Sequence, residues 1–178
     1  MNKSEQTKLA ISQSLIEMLQ RQPLDLITIK ELTRKANVSR SAFYNNFKNI
    51  EDVLKYTYRN AHKEAFKDKF QNHYYQCSDE YIIDMIDFFD KNSHLLNVLF
   101  QWNLIDMIAK YNTHLVLEYV KNYDDIIIKN NPFYFICFTG ATIFDMCILW
   151  LIREKQESKE ELFSLIKYFQ SLYQQNKK

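Results

Sequence analysis

A single glycine, Gly140, stands among 178 residues, where ordinary usage would supply roughly a dozen. Only two prolines, Pro23 and Pro132, accompany it. The residues that build tight turns, bulges and positive-φ corners are therefore almost missing. That scarcity excludes sandwiches, barrels and other hairpin-rich folds, which need turn signals every few residues. It also excludes glycine-built chemistry: the G-x-G-x-x-G dinucleotide loop, the phosphate-cradling G-x-x-x-x-G-K-[ST] and the G-x-S-x-G nucleophile elbow. Cysteine is scarce too. Cys77, Cys137 and Cys147 are odd in number and lack C-x-x-C spacing, the pattern of reduced thiols rather than of a disulfide framework. His62, His73, His94 and His114 form no H-E-x-x-H and fall at no zinc spacing with the cysteines. Neither catalysis, a metal nor a cofactor is expected. The carboxylates Asp84, Asp87, Asp124 and Asp125 read as solvated helix or loop groups. Met1 to Glu17 mixes Lys, Glu, Gln and Ser, which is not a signal peptide, so a cytoplasmic protein is expected.

What is present is apolar and aromatic. Hydrophobic residues make up 47% of the chain, with 12 Tyr and 13 Phe, ample for a buried core and unlike a disordered chain. The expected fold class is all-α with about nine helices. Phe133–Ile152 is nearly continuous apolar sequence, long enough to span a bilayer. Asp145 falls towards its middle, where a charge is costly in lipid. A helix apolar all round is otherwise a core or interface helix, and that reading is preferred to a membrane span.

Charge is unevenly placed. The net formal charge is +1, yet residues 1–60 hold ten Lys/Arg against six Asp/Glu, and residues 61–178 hold thirteen against sixteen. A basic head on an acidic body is the asymmetry expected where one end meets a polyanion. The excess is modest and is also compatible with chance.

Helix starts are legible in the head. Ile11, Leu15, Met18 and Leu19 form the stripe of a first helix, about Lys3 to Arg21, ended by Pro23. Thr28 to Glu31 is a capping box, with Ile27 and Leu32 as its hydrophobic staple. Ile29, Leu32 and Ala36 supply the buried side of a short second helix. Asn37 tolerates the left-handed conformation that often closes a helix. Ser39 is placed to cap a third helix containing Phe43, Tyr44 and Phe47, and Asn49 caps a fourth. Two short helices joined by a turn of about three residues make a helix-turn-helix; periodicity alone equally allows a plain helical hairpin with a solvated face.

In a helix-turn-helix the second helix lies in the major groove with its N-terminal residues against base edges. Those positions are Arg40, Ser41, Ala42 and Asn45. Arg suits guanine, Asn suits adenine, and a small apolar group meets a thymine methyl. Thr28, Lys30, Tyr44 and Lys48 suit phosphate contacts.

Ile27-Thr28-Ile29-Lys30-Glu31-Leu32 and Ala36-Asn37-Val38-Ser39-Arg40-Ser41-Ala42-Phe43-Tyr44-Asn45-Asn46-Phe47, continuing to Glu51 and Leu54, resemble the DNA-binding domain of TetR-family transcriptional regulators. The resemblance covers about sixty residues. Three positions depart from the family pattern: Asn37 replaces the turn glycine, Asn46 the His or Tyr before the final Phe, and Ile50 the Lys opening the fourth helix. The resemblance adds Ser39 and Asn46 to the DNA-contacting set. It implies a helix-turn-helix domain at 1–50, and an effector-binding and dimerisation domain at 51–178.

Further helices are expected at Glu51–Tyr74, Asp79–Lys91, Ser93–Gln101, Leu104–Asn122, Phe133–Lys155 and Lys159–Gln174, the last opened by a second capping box, Ser158 to Glu161. The resemblance implies a homodimer built on Phe133–Lys155 and Lys159–Gln174, which would set two recognition helices on a palindromic double-stranded DNA operator. Phe88–Asp90, Asn92, and Trp150-Leu151 ahead of Ser158–Leu162 loosely resemble the C-terminal domain of Firmicutes regulators of the dihydroxyacetone-kinase-regulator type. An effector pocket lined by Phe88, Phe100, Trp102, Met107, Tyr111, Phe138 and Phe144, with His114 or Asp145 as its polar handle, is one reading of the body's aromatics; plain core packing is the other. A repressor released by an effector is the expected function. An activator controlled by a protein partner and a helical interaction protein that binds no DNA are the alternatives.

Overall fold

The computed structural model describes residues 2–67, 69, 75–106, 108, 117 and 125–175. Among these residues every regular element is helical: α1 (Lys3–Leu19), α2 (Ile29–Lys35), α3 (Arg40–Tyr44), α4 (Ile50–Phe66), α5 (Asp79–Lys91), α6 (Ser93–Gln101), α7 (Ile126–Asn130), α8 (Pro132–Ile136), α9 (Thr142–Ile152) and α10 (Lys159–Gln175). The fold is all-α.

Side chains close the helix starts. Asn2 and Glu5 cap α1 reciprocally, and Thr28 and Glu31 do the same for α2. Ser39 caps α3 and Ser78 caps α5. The Glu161 N–H donates to Ser158 Oγ at 3.1 Å while the Glu161 carboxylate takes the Ser158 N–H at 2.7 Å, completing the second expected capping box. Each satisfies N–H groups that a helix start leaves without intrahelical partners.

Helix ends answer the glycine scarcity. After α2, Asn37 takes φ 53°, its N–H donates to the Arg34 carbonyl, and the Val38 N–H donates to the Thr33 carbonyl. That pair of bonds is a Schellman closure, usually made with glycine. Asn103 repeats it after α6, and Glu154 after α9, at φ 55° and 57°. Gly140 has no positive φ. Its use is its missing side chain, since a Cβ there would meet Tyr81 Oη of α5 at 3.2 Å.

The chain divides into two compact units: Met1–Glu64 with Val98–Ile108, and Ala65–Asn97 with Ala109–Lys178. In the first, Ile11, Leu15, Leu19, Leu32, Phe43, Val53, Leu54 and Leu99 are fully buried. Trp102 donates its indole N–H to the Leu19 carbonyl at the end of α1. In the second, the rings of Phe66, Phe88, Phe89 and Phe144 follow one another at 5.3–5.8 Å. Ion pairs tie α5 to the C-terminal segment: Asp79 to Lys167 at 2.6 Å, Asp87 to Lys159 at 3.0 Å, and Asp90 to both Lys155 and Lys159 at 2.6 Å. Lys155 and Lys159 hold the Asp90 carboxyl below its usual range. Asp84 accepts from Lys69 and from the Tyr75 hydroxyl. Asp84 and Asp87 are therefore half-buried ion-pair partners rather than freely solvated carboxylates.

Several expected boundaries move. The first helix stops at Leu19, and α4 ends at Phe66, with Tyr75–Cys77 forming a separate 3₁₀ turn. The expected helix Leu104–Asn122 lies mostly outside the described residues. The apolar stretch expected as Phe133–Lys155 starts at Pro132, passes through a π-helical turn at Cys137–Ala141 and stops at Ile152, where the left-handed Glu154 and Lys155 terminate it. The short helix α7 lies outside the helices expected from the sequence. Its signal was present: Asp125, read as a solvated carboxylate, accepts from the N–H groups of Ile127 and Ile128 as an N-cap.

Phe133–Ile152 satisfies the length and hydropathy of a membrane span. One side of it, Ile143, Phe144, Cys147, Trp150 and Leu151, is buried in the second unit. The other side carries Tyr134, Phe138, Leu149 and Ile152, all exposed, together with exposed Thr142 and Asp145. Their 3–4 spacing makes one continuous stripe along the helix.

Candidate DNA-binding interface

The helix-turn-helix is assembled from local rules. Thr28 and Glu31 fix the start of α2: the Glu31 N–H donates to Thr28 Oγ1 at 3.2 Å, and the Thr28 hydroxyl donates back to the Glu31 carboxylate at 2.7 Å. Those bonds hold the Glu31 carboxyl below its usual range. Leu32 and Thr33 turn inward from α2. The Asn37 closure ends the helix, and Ser39 accepts the Ala42 N–H at 3.0 Å to begin the next. Between the last residue of α2, Lys35, and the first of α3, Arg40, the turn is built without glycine.

Helix α3 is five residues long, too short to persist by its own hydrogen bonds. Packing holds it. Phe43 is fully buried and Phe47 nearly so, with ring centroids 5.9 Å apart, and Tyr56 of α4 meets Phe47 edge-on at 5.5 Å. With Phe43 anchored inward, Arg40, Ser41 and Asn45 are exposed and Ala42 is half-buried. Tyr44 stands outward, 60% exposed, its ring edge-on to Phe43.

The proposed phosphate-binding residues Thr28, Lys30 and Lys48 are also exposed. The main-chain N–H of Lys48 donates to Asp52, whose own N–H donates to Asn49 Oδ1. Thus the turn into α4 is closed by side chains, and Ile50 simply opens the helix. Asn46 is placed differently from the rest. Its amide N–H donates to the Ala42 carbonyl, and its amide oxygen accepts from the Ser4 hydroxyl. Sequence reasoning missed this link because Ser4 is 42 residues away and carries no local signal.

The aromatic set read as an effector pocket is divided between the two units. Phe88 and Phe144 are core residues of the second unit, whereas Phe138 is 80% exposed and Asp145 is exposed. Phe100 and Trp102 fall in the first unit. Met107, Tyr111 and His114 lie outside the described residues. An open groove beside α10 is lined by other side chains, among them Ile83, Ile86, Asp87, Lys159 and Phe163. Among the described residues no group of three or more His, Cys, Asp or Glu is placed to hold a metal ion.

Residues 13–57 match the sequence profile of the family described as "Bacterial regulatory proteins, tetR family". No curated protein sequence matches the chain. Among solved structures, the "Dihydroxyacetone kinase operon activator DhaS" has the same fold, with a TM-score of 0.56 and 23% sequence identity over 92% of this chain and 93% of that one.

Proposed function

We propose, for a chain whose residues 13–57 match the profile of the TetR family of bacterial regulatory proteins, that it is a cytoplasmic repressor of that type, binding a palindromic DNA operator as a homodimer and released by an effector acting on the body. The observation that carries the reading is α3 itself: Phe43 anchors one side in the core, which leaves Arg40, Ser41, Asn45 and Tyr44 facing solvent. Arg40, Ser41, Ala42 and Asn45 read bases. Thr28, Lys30, Ser39, Tyr44 and Lys48 hold phosphates, and affinity falls steeply with salt as counterions are released.

Dimerisation is supported by two exposed apolar faces near the C-terminus. Phe138, Leu149 and Ile152 lie along Phe133–Lys155, and Leu165, Tyr168, Phe169 and Leu172 along Lys159–Gln174. Faces of this kind are characteristic of protein–protein contact. A two-fold dimer would set its two α3 helices on matching half-sites.

A second reading, an activator controlled by a protein partner, is favoured by further exposed apolar residues, Ile126, Ile127 and Phe133. The solved structure of the same fold is itself that of an operon activator. Selection of bound duplexes from a random DNA pool tests the primary reading: an enriched palindrome is expected. A pool that stays unenriched refutes DNA-sequence recognition and leaves a helical interaction protein. Transcription from the selected operator, with and without the protein, then separates repressor from activator.

A further inference from the structure

The end of α3 is closed by one side chain that also reaches a distant helix. In a continuing helix the Asn46 N–H would bond the Ala42 carbonyl four residues back. Here that N–H donates to the Phe43 carbonyl at 2.9 Å. The Ala42 carbonyl is taken instead by the Asn46 side-chain amide at 2.7 Å. The amide oxygen then accepts from the Ser4 hydroxyl at 2.6 Å. Ser4 lies in the first turn of α1, which the reciprocal Asn2–Glu5 cap holds in place. A relay therefore runs from the start of α1, through one amide, to the last turn of the recognition helix.

Resting on the DNA-binding reading above, we propose that Asn46 is a positioning residue: clamped by Ser4, it sets the pose of α3 in the major groove rather than serving as a phosphate ligand. The position that the family fills with His or Tyr is here committed to the protein's own framework. The geometry accounts for why a five-residue helix can present Ala42 and Asn45 at a fixed angle. Phe43 anchors its buried side, Ser39 its start, and the Ser4–Asn46 relay its end.

The test uses the full chain and two probes, a palindromic duplex recovered by selection and an unrelated duplex of equal length. Affinities of wild type, Ser4→Ala, Asn46→Ala, the double variant and Ser4→Thr are measured over a salt series, with circular dichroism confirming the helical fold. Each alanine variant is expected to weaken the selected duplex by about three- to tenfold, the range for one hydrogen bond. The double variant should be no worse than either single, because both break one relay. The loss should be smaller on the unrelated duplex than on the selected one at every salt concentration, and Ser4→Thr should keep wild-type affinity. The proposal is overturned if Asn46→Ala weakens the selected and the unrelated duplex by the same factor while Ser4→Ala is silent, since that marks a lost phosphate contact. Losses that simply multiply overturn it as well. Should the wild type recover no preferred duplex, the DNA-binding reading fails and takes the relay with it; selective wild-type binding with silent variants sinks the relay alone.

Discussion

His62 makes the head sensitive to acid. It sits on α4, 4% exposed, with its ring 6.2 Å from that of Tyr58. Burial disfavours the imidazolium and lowers its pKa from 6.5 to about 4. The unfolded chain therefore takes up a proton near pH 6.5, while the folded chain resists until about pH 4. Stability from this group is full above the upper value and falls as pH drops through the window. At about 1.4 kcal/mol per pH unit, the full loss is about 3 kcal/mol, of which about 2 kcal/mol has gone by about pH 5. Urea unfolding of a Trp150→Phe background measures it, because Trp102, bonded to the Leu19 carbonyl, then reports on the unit that holds His62. In a His62→Gln variant the shared carboxylate titrations remain and cancel in the comparison. Wild type should lose about 2 kcal/mol more than the variant between about pH 7.5 and 5. Equal losses in the two proteins would falsify the argument that burial keeps His62 neutral.

Tyr44→Ala should weaken binding by a similar factor on every duplex, since a hydroxyl bonded to phosphate reads no base, and should leave the salt slope unchanged because it neutralises no phosphate; binding isotherms on selected and unrelated duplexes at several salt concentrations check both. Asn37→Ala should destabilise the head by about 1 kcal/mol, since alanine is less tolerant of φ 53°, and Asn37→Gly should not; thermal unfolding decides between them. Replacing Leu149 and Ile152 together by Glu is expected to leave a folded monomer, as both are exposed in the single chain. Sedimentation showing an unchanged dimer would rule out that face as the interface.

The features legible in the sequence are those whose partners lie within one helical turn. Thr28 with Glu31, Ser39 with the Ala42 N–H, and Ser158 with Glu161 are separations of three residues. Spacing alone announces them, and with the Val38–Phe47 pattern they located the helix-turn-helix. Asn37 was readable for the same reason, being the αL-tolerant residue at the helix end. The body carries fewer such local signals. Asp87 and Asp90 meet Lys159 across some seventy residues, and nothing in local spacing distinguishes such a pair from two solvated charges. The aromatics beyond Lys67 share one composition, yet Phe144 is core and Phe138 is 80% exposed; only the phase of the helix after its π turn separates them.

The scarcity of glycine and proline determined, with no coordinates, that the protein is helical and that glycine-built catalytic loops are absent. It did not determine how helices would end without glycine. That was decided by the tertiary structure, where Asn37, Asn103 and Glu154 accept left-handed geometry because each closure satisfies two carbonyls at once. Packing likewise decided the one glycine's purpose, room for Tyr81. It also brought Ser4 to Asn46, because a contact between residues far apart in sequence depends on which helices share a core.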